Sequence, residues 1–441
     1  MKNSWRWVLV INGLFDSEIL QSLQGYHRLF VGYSGGLDST VLLHALSSYP
    51  QLQPKLTAVH INHGISPNAQ NWQKQCQQFC DSLKIPLIVK QVHFKRDSNV
   101  EDAARRARYK VFASLIEKND CLILAHHLND QAETLLLHLL RGTGIDGLSG
   151  MSSLKKFAEG VLLRPLLHSP RSTLETYAND NHLQWIDDES NENTAFSRNF
   201  LRHLVIPLLA SRWPKIINNL ARTSKHCQQA QENLEDLAKI DCPELAVISP
   251  QLPLAKLLPL TRARLTNVLR VWLKGNQIKL PSTATFNRLI SEVIHARRDA
   301  NSQVSWGDNI CVRRYQDRLY LILKTQSSHL SVRWNSFPEP LDLGSGRGIL
   351  SAHLTTRGLV IPPNSTIEVK FRQGGETLHW HGQTKQLKKL FQDWQIPPWL
   401  RESIPLLYIN QELACVVGYA ISDHFYKADS KTAFQLLLTF N

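Results

Sequence analysis

The chain has 441 residues, 43% hydrophobic and 20% charged, with a formal net charge of +13. It is too long for one ordinary core, so two or three domains are expected. Its seven cysteines form no C-x-x-C pair, which excludes a zinc ribbon or an iron–sulfur site, and the apolar setting of residues such as Cys121 suits reduced thiols in the cytoplasm.

The run from Trp7 to Phe15 is short, broken by Asn12 and Gly13 and followed by Asp16 and Glu18, so neither a signal peptide nor a membrane span is expected. Strand-like runs follow at Leu29 to Tyr33, Leu56 to Ile61, Leu87 to Val92 and Cys121 to Ala125, each trailed by a helix-length segment. Such alternation predicts a doubly wound parallel sheet, with ligand-binding loops at the carboxyl ends of its strands.

The first of these loops is SGGLDS, Ser34, Gly35, Gly36, Leu37, Asp38 and Ser39, between a strand and an apolar helix. Two glycines let the backbone approach an anion, and the helix start offers unpaired N–H groups and a positive dipole end. Ser34 and Ser39 add hydroxyls, and Asp38 suits Mg²⁺ held against phosphates. No G-x-x-x-x-G-K-[ST] occurs, which excludes a Walker loop. A plain strand-to-helix turn with a Ser/Asp cap is the bland alternative.

The second strand leads into HINHG, residues 60–64, whose histidines are in most proteins ordinary loop residues. In NVEDAARRARYK, Ala104, Arg105, Arg108 and Tyr109 share a helix face, so the arginines either hold a phosphate or pair with Glu101 and Asp102. After CLILA come His126 and His127, then Asp130 and Glu133 one helical turn apart. These carboxylates are candidate Mg²⁺ ligands or proton acceptors, or together they cap the helix. The glycines of RGTGIDGLSG, residues 141–150, suit a loop that closes over a substrate. Further on are RPLL, residues 164–167, and then Arg198 and Arg202 at the start of a helix, where a guanidinium can stabilise phosphate charge.

Composition changes after Trp213-Pro214. Residues 215–240 read as a polar connecting helix, and TRARLTNVLRVWLK sets Leu265, Val268 or Leu269, and Trp272 on one face. Residues 256–324 hold 13 Lys and Arg against 4 Asp and Glu, whereas 1–149 hold 15 against 12. A nucleic-acid surface is therefore expected in the middle of the chain, with a merely solvated basic face as the alternative. Ser, Pro and Gly cluster in 325–362, and IEVKF and LACVVGYAI beyond them are strand-like. LDLGSGRG, residues 341–348, matches the glycine loop of S-adenosylmethionine methyltransferases, but only 93 residues follow it and Pro362-Pro363 interrupt them, so it reads as an interdomain turn. The expected architecture is α/β: a parallel-sheet domain over 1–214, a helical basic domain over 215–330, and a small mixed α+β domain over 360–441.

The SGGLDS segment resembles the PP-loop of N-type ATP pyrophosphatases, which split ATP between the α and β phosphates. SGGLDS, HINHG, AR-x-x-RY, HHLND-Q-x-ET, RGTG-x-DGL and SRN-x-x-R, in that order, resemble the tRNA(Ile)-lysidine synthetase family over residues 29 to about 210. The likeness continues more loosely through the Arg-rich middle and FRQGGETLHWHGQTKQLKKLFQDWQIPPWLR. It implies adenylation of the 2-oxo group of the wobble cytidine in a CAU-anticodon tRNA(Ile), followed by attack of the ε-amine of L-lysine.

Carried over residue by residue, Ser34 to Ser39 bind ATP, Asp38 and Asp130 are the metal or catalytic carboxylates, and Arg198 stabilises phosphate charge. His60, Arg105, Arg108, His126, His127, Glu133 and Arg202 are candidates for substrate or tRNA contact. ATP and Mg²⁺ are the expected cofactors and tRNA(Ile) and L-lysine the partners, with no membrane and with homodimer formation open. A PP-loop tRNA thiolase is the alternative; it needs a reactive cysteine near the loop, for which Cys121, in a strand, is poorly suited.

Overall fold

The computed structural model describes residues 14–439, apart from 63, 65–67, 93–99, 298–301, 308, 324–330 and 345–346. Most of the Trp7 to Phe15 run, His63 of HINHG, and Ser345 and Gly346 of LDLGSGRG lie outside the described residues. The chain divides into two compact units, Met1–Leu237 and Ala238–Asn441.

In the first unit β1 (Leu29–Gly32), β2 (Leu56–Asn62), β3 (Leu87–Gln91), β4 (Cys121–Ile123), β5 (Leu154–Phe157) and β6 (Gly160–Leu163) form one sheet. Its order is β3-β2-β1-β4-β6-β5, with every neighbour parallel except β5 against β6. α1 (Ser17–Gln24) precedes β1, and between the strands run α2 (Leu37–Ser47), α3 (Ala69–Ser82), α4 (Val100–Leu115), α5 (Leu128–Leu140) and α6 (Ile145–Leu148), with α7 (Arg171–Asp180) after β6. Successive strand residues face opposite sides. Leu29 and Val31 pack with Val41, Leu42 and Leu174 on one face, and Phe30 packs with Phe112, Ile116 and Leu122 on the other. Each fully buried apolar side chain of this kind contributes roughly 1.5–3 kcal/mol, which is why the strands read as continuous hydrophobic runs.

The β5–β6 hairpin escaped the sequence reading. LKKF is largely polar and exposed, so it lacks the strand signature; its only strand partner among the described residues is β6, and Phe157 packs beside Tyr109. The strand order reverses between β1 and β4, and the loops at their carboxyl ends, 33–36 and 124–127, flank that point.

The first unit continues through α8 (Ser197–Phe200), a π-helical turn (Leu201–Val205) and α9 (Ile206–Arg212) into α10 (Ile216–Asp241), the expected connecting helix. In the second unit α11 (Leu254–Leu257), α12 (Arg262–Gly275) and α13 (Thr283–Arg288) accompany a four-stranded antiparallel sheet. That sheet consists of β7 (Gln251–Pro253), β8 (Gln303–Trp306), β9 (Ile310–Tyr315) and β10 (Arg318–Leu323), in the order β7-β10-β9-β8. Leu265, Val268, Leu269 and Trp272 of α12 are all buried, as their spacing predicts.

Beyond residue 331 the chain forms two five-stranded sheets and one hairpin, with α14 (Leu387–Asp393) after the hairpin. Leu341–Asp342 pairs antiparallel with Ile349–Leu350, so LDLGSGRG closes a β-hairpin. It has none of the strand–turn–helix context that a glycine cofactor loop requires.

Candidate active site

At the end of β1, Gly35 adopts φ +88°, and a Cβ there would lie 2.5 Å from Ile186 Cδ1 and 2.9 Å from Cys76 Sγ. Only glycine fits on both counts. Gly36 differs: its φ is −71° and its nearest neighbour is 3.6 Å away, so the protein alone does not demand glycine there. Gly36 is the N-cap of α2 and makes no side-chain cap bond, which leaves the helix N–H groups open to an anion. The loop is braced from within. Ser39 Oγ donates to Gly36 O at 3.0 Å and accepts from Ser34 N at 3.2 Å, and Thr40 Oγ1 donates to Gly35 O at 3.2 Å. Leu37 is buried in the core, so its contribution to a ligand is its backbone N–H.

The β4 loop brings a second set of groups against this one. His127 is fully buried, and its backbone N donates to Asp130 Oδ2 at 3.0 Å while its Nδ1 accepts from Asp130 N at 3.4 Å. The helix is capped, though not by Asp130 with Glu133 as the sequence suggests: His127 is the cap and Asp130 completes the box, which leaves Glu133 out of it. The other edge of the ring, Nε2, lies 3.5 Å from Asp38 Oδ2 and 3.6 Å from Asp130 Oδ2. Burial alone would lower the His127 pKa, but the two carboxylates outweigh it and raise the value above that of an ordinary histidine. Burial likewise opposes ionisation of Asp130, yet His127, His126 and Arg198 hold its carboxyl below the usual range.

Arg202 closes the network from the π-helical turn. Its Nε donates to Glu133 Oε1 at 2.7 Å, and its Nη2 donates to Glu133 Oε2 at 3.1 Å and Asp130 Oδ1 at 3.2 Å. Glu133 is 1% exposed, so its carboxylate is the buried anchor of Arg202. Arg198, one turn earlier, donates to Thr134 Oγ1 at 2.9 Å and lies 3.7 Å from Glu133 Oε2.

A cationic group gathers around Tyr109. Arg105 and Arg108 lie over its ring, with Cζ 5.0 and 5.9 Å from the centroid. Burial and the charges of Arg105 and Arg198 lower the Arg108 pKa; burial and the charges of Arg164 and Arg105 do the same to Lys155. Arg164 is 3% exposed and donates through Nε to His126 Nδ1 at 3.1 Å and through Nη1 to Ser152 O at 2.7 Å. Among the described residues, Arg105, Arg108, Lys155 and Arg164 make no ion pair with a carboxylate.

The structure thus brings Asp38, Asp130, His127, Glu133, Arg198 and Arg202 together, with Arg105, Arg108 and His126 beside them. His60 is separate: it is buried behind the loop, with Nδ1 3.1 Å from Tyr33 O, and burial lowers its pKa. It supports the backbone leading into the glycines. The 141–150 loop is pinned at its far end, where a Cβ on Gly150 would meet Ser224 Oγ at 2.7 Å.

Lys155 was not anticipated, and Arg164, the first residue of RPLL, was given no role of its own although it directly follows an apolar strand in GVLLRPLL. Asp38 Oδ1 is buried without a hydrogen-bond partner, which fits a cation as its missing neighbour. No group of three or more His, Cys, Asp or Glu side chains among the described residues would hold a metal by itself, so phosphate oxygens and water must complete any coordination.

A switch point of a parallel sheet with a glycine loop, an open helix start and facing carboxylates defines a nucleotide-handling PP-loop domain, and residues 13–209 match the PP-loop domain family. Residues 252–320 match the TilS substrate binding domain and 367–438 the TilS substrate C-terminal domain. The tRNA(Ile)-lysidine synthase of Legionella pneumophila (strain Philadelphia 1) is 51% identical over 98% of this chain and 99% of its own length. That of Coxiella burnetii is 39% identical over 92% of each. The chain belongs to the tRNA(Ile)-lysidine synthase family. Among solved structures, the U34-tRNA thiolase NcsA from Methanococcus maripaludis is 18% identical, with a TM-score of 0.39 over 48% of this chain and 75% of that one.

Proposed function

We propose that this enzyme forms lysidine at the wobble cytidine of CAU-anticodon tRNA(Ile), using ATP and L-lysine. The observation that carries the reading is the near full-length likeness to tRNA(Ile)-lysidine synthases, which takes in both substrate domains as well as the PP-loop.

The chemistry runs in two displacements. The cytidine O2 attacks the α-phosphorus of ATP and pyrophosphate leaves. The lysine ε-nitrogen then attacks C2, loses a proton, and the C2–O bond breaks so that AMP departs with the oxygen. A carbonyl oxygen is a poor leaving group, and adenylation makes it a good one.

The N–H groups at Gly35, Gly36 and the start of α2 are suited to the pyrophosphate moiety. Asp38 and Asp130 would hold Mg²⁺, which supplies neutralisation of phosphate charge when bound. Arg198, a quarter exposed and tethered to Thr134, is placed to stabilise charge building on the phosphates. Arg202 and Glu133 fix the frame on which Asp130 stands. The body of the tRNA is assigned to the parts over 215–330 and 360–441. We take the enzyme to be cytoplasmic; no helix among the described residues is long and apolar enough to cross a membrane.

The thiolase alternative needs a reactive thiol near the loop. Burial pushes Cys76 and Cys121 up to about 12, which leaves both as unreactive thiols.

The test combines ATP, radiolabelled lysine and tRNA(Ile) transcripts with CAU or GAU anticodons. Lysine is expected to enter the CAU transcript alone, and AMP-tRNA to accumulate when lysine is withheld. Lysine-dependent ATP–pyrophosphate exchange without tRNA would mean that lysine is the adenylated substrate and would overturn the reading.

A further inference from the structure

We infer that Arg164 is a positioning residue that fixes His126 as a neutral Nε2–H donor, and that this donor, together with Arg108 and Arg198, takes a phosphate oxygen of the substrates. The inference rests on the function proposed above and adds a residue pair to the same site.

The first half follows from hydrogen-bond logic. A guanidinium has only donors, so the 3.1 Å contact from Arg164 Nε requires a lone pair on His126 Nδ1. A neutral imidazole with its lone pair on Nδ1 carries its proton on Nε2. Arg164 is itself immobilised, being 3% exposed and tied through Nη1 to Ser152 O at 2.7 Å. The tautomer is therefore set by a rigid neighbour. Burial acts in the same direction and pushes His126 down to about 3.

The second half follows from what faces the ring. Asp130, Arg164, Arg198 and Arg108 are the charged groups around His126. Its neighbour His127 aims Nε2 between Asp38 and Asp130, whereas no acceptor for His126 Nε2 is found among the described residues. A ligand group that accepts from Nε2–H beside two guanidinium groups is an anionic oxygen. In a site that handles ATP and tRNA, that oxygen belongs to a phosphate, either of the nucleotide or of the tRNA backbone.

Two measurements test this on the full-length protein. In nitrogen NMR of ¹⁵N-histidine-labelled enzyme, the His126 signals, identified by their loss in His126→Gln, should show an unprotonated Nδ1 and a protonated Nε2 throughout pH 5–8, a window in which an ordinary histidine titrates. In Arg164→Met the same signals should titrate or report mixed tautomers. A protonated Nδ1 in the wild type would overturn the positioning role.

The second measurement uses amide mimics, since the Gln side-chain nitrogen reaches the place of Nε2 and that of Asn only the place of Nδ1. His126→Gln should keep more of the adenylation rate than His126→Asn, which should lose on the order of 10–100-fold, the worth of one charge-assisted hydrogen bond. A non-hydrolysable ATP analogue and CAU tRNA(Ile) are then titrated separately into His126→Asn. Weakened analogue binding assigns the oxygen to ATP, and weakened tRNA binding assigns it to the backbone. Unchanged binding of both, or equal activity of the Asn and Gln variants, would overturn the donor role. Because the NMR readout needs no catalysis, a failure of the proposed reaction remains distinguishable from a failure of this inference.

Discussion

Around Tyr109, four cationic side chains meet within a part of the chain that is almost neutral, whereas the most basic stretch, 256–324, pairs much of its charge away. In the second region Arg264 is bonded to Asp241, Arg288 to Glu292 through two bonds of 2.9 and 3.1 Å, and Arg262 to Asn287. Arg314 is turned to the carbonyls of Ile294 and Ala296. In the first region burial, and then neighbouring cations that include Arg105, lower the proton affinity of Arg108, Lys155 and Arg164, with no carboxylate paired to them among the described residues. Net charge along a sequence therefore does not locate charge that needs a partner. Local imbalance does, because like charges held together in a desolvated place are tolerated only where an anion will arrive.

The sharpest way to break this contrast is to invert the Tyr109 group. Arg105→Glu with Arg108→Glu should lower single-turnover adenylation by on the order of 10²-fold or more, the range for removing preorganised charge stabilisation, with secondary structure intact by circular dichroism. Retained adenylation would show that the unbalanced charge has no substrate.

Arg198→Ala, at the border between cations and carboxylates, should slow adenylation by on the order of 10²-fold and attack by lysine less, since phosphate charge builds in the first step. Equal losses in the two steps would make Arg198 a structural residue.

On the basic stretch, Arg318 is exposed and near Tyr320. Arg318→Glu should flatten the salt dependence of tRNA binding by about one unit of slope or slightly less, without change in ATP affinity. Arg264→Gln should instead lower the denaturant midpoint, because it strands Asp241, whose side chain is 2% exposed, and leave that slope alone.

The last contrast concerns acid stability. His126 is neutral when folded down to about pH 3, while the unfolded chain takes up a proton near the ordinary histidine value, so the folded state loses stability as pH falls from roughly 6.5 toward 3. His126→Gln removes that term. The stability difference between variant and wild type should therefore shift in the variant's favour on acidification, by at most about 1.4 kcal/mol per pH unit. A difference independent of pH would refute it.

What could be read beforehand was local. SGGLDS announced its own turn and helix start and the spacing on α12 announced its buried face, whereas the cap read from Asp130 and Glu133 is built instead from His127 and Asp130. What could not be read was long-range. Arg202 meets Glu133 across 69 residues of chain, and Arg164 meets His126 across 38. No spacing rule reports such contacts. His60 makes a related point: a histidine at a strand end has the same signature whether it faces solvent or, as here, the back of a loop. The middle sheet was hidden in VRRYQDRLYL, where consecutive arginines on both faces of β9 break the alternation that marks a strand and conceal a pair turning at Gln316, φ +51°.

The packing of Gly35 against Ile186 has an evolutionary consequence. Ile186 N also donates to Gly35 O at 2.9 Å, so the loop and the 185–186 segment are bonded as well as packed. Trimming Ile186 would not open position 35 to another residue, because Cys76 Sγ and the positive φ each forbid a side chain independently. A side chain at position 35 would need relief from Ile186, from Cys76 and from the positive φ together. Position 35 is accordingly a poor target in any programme to redirect the site to another nucleotide, and variation is better directed to Gly36, where the surrounding protein leaves space.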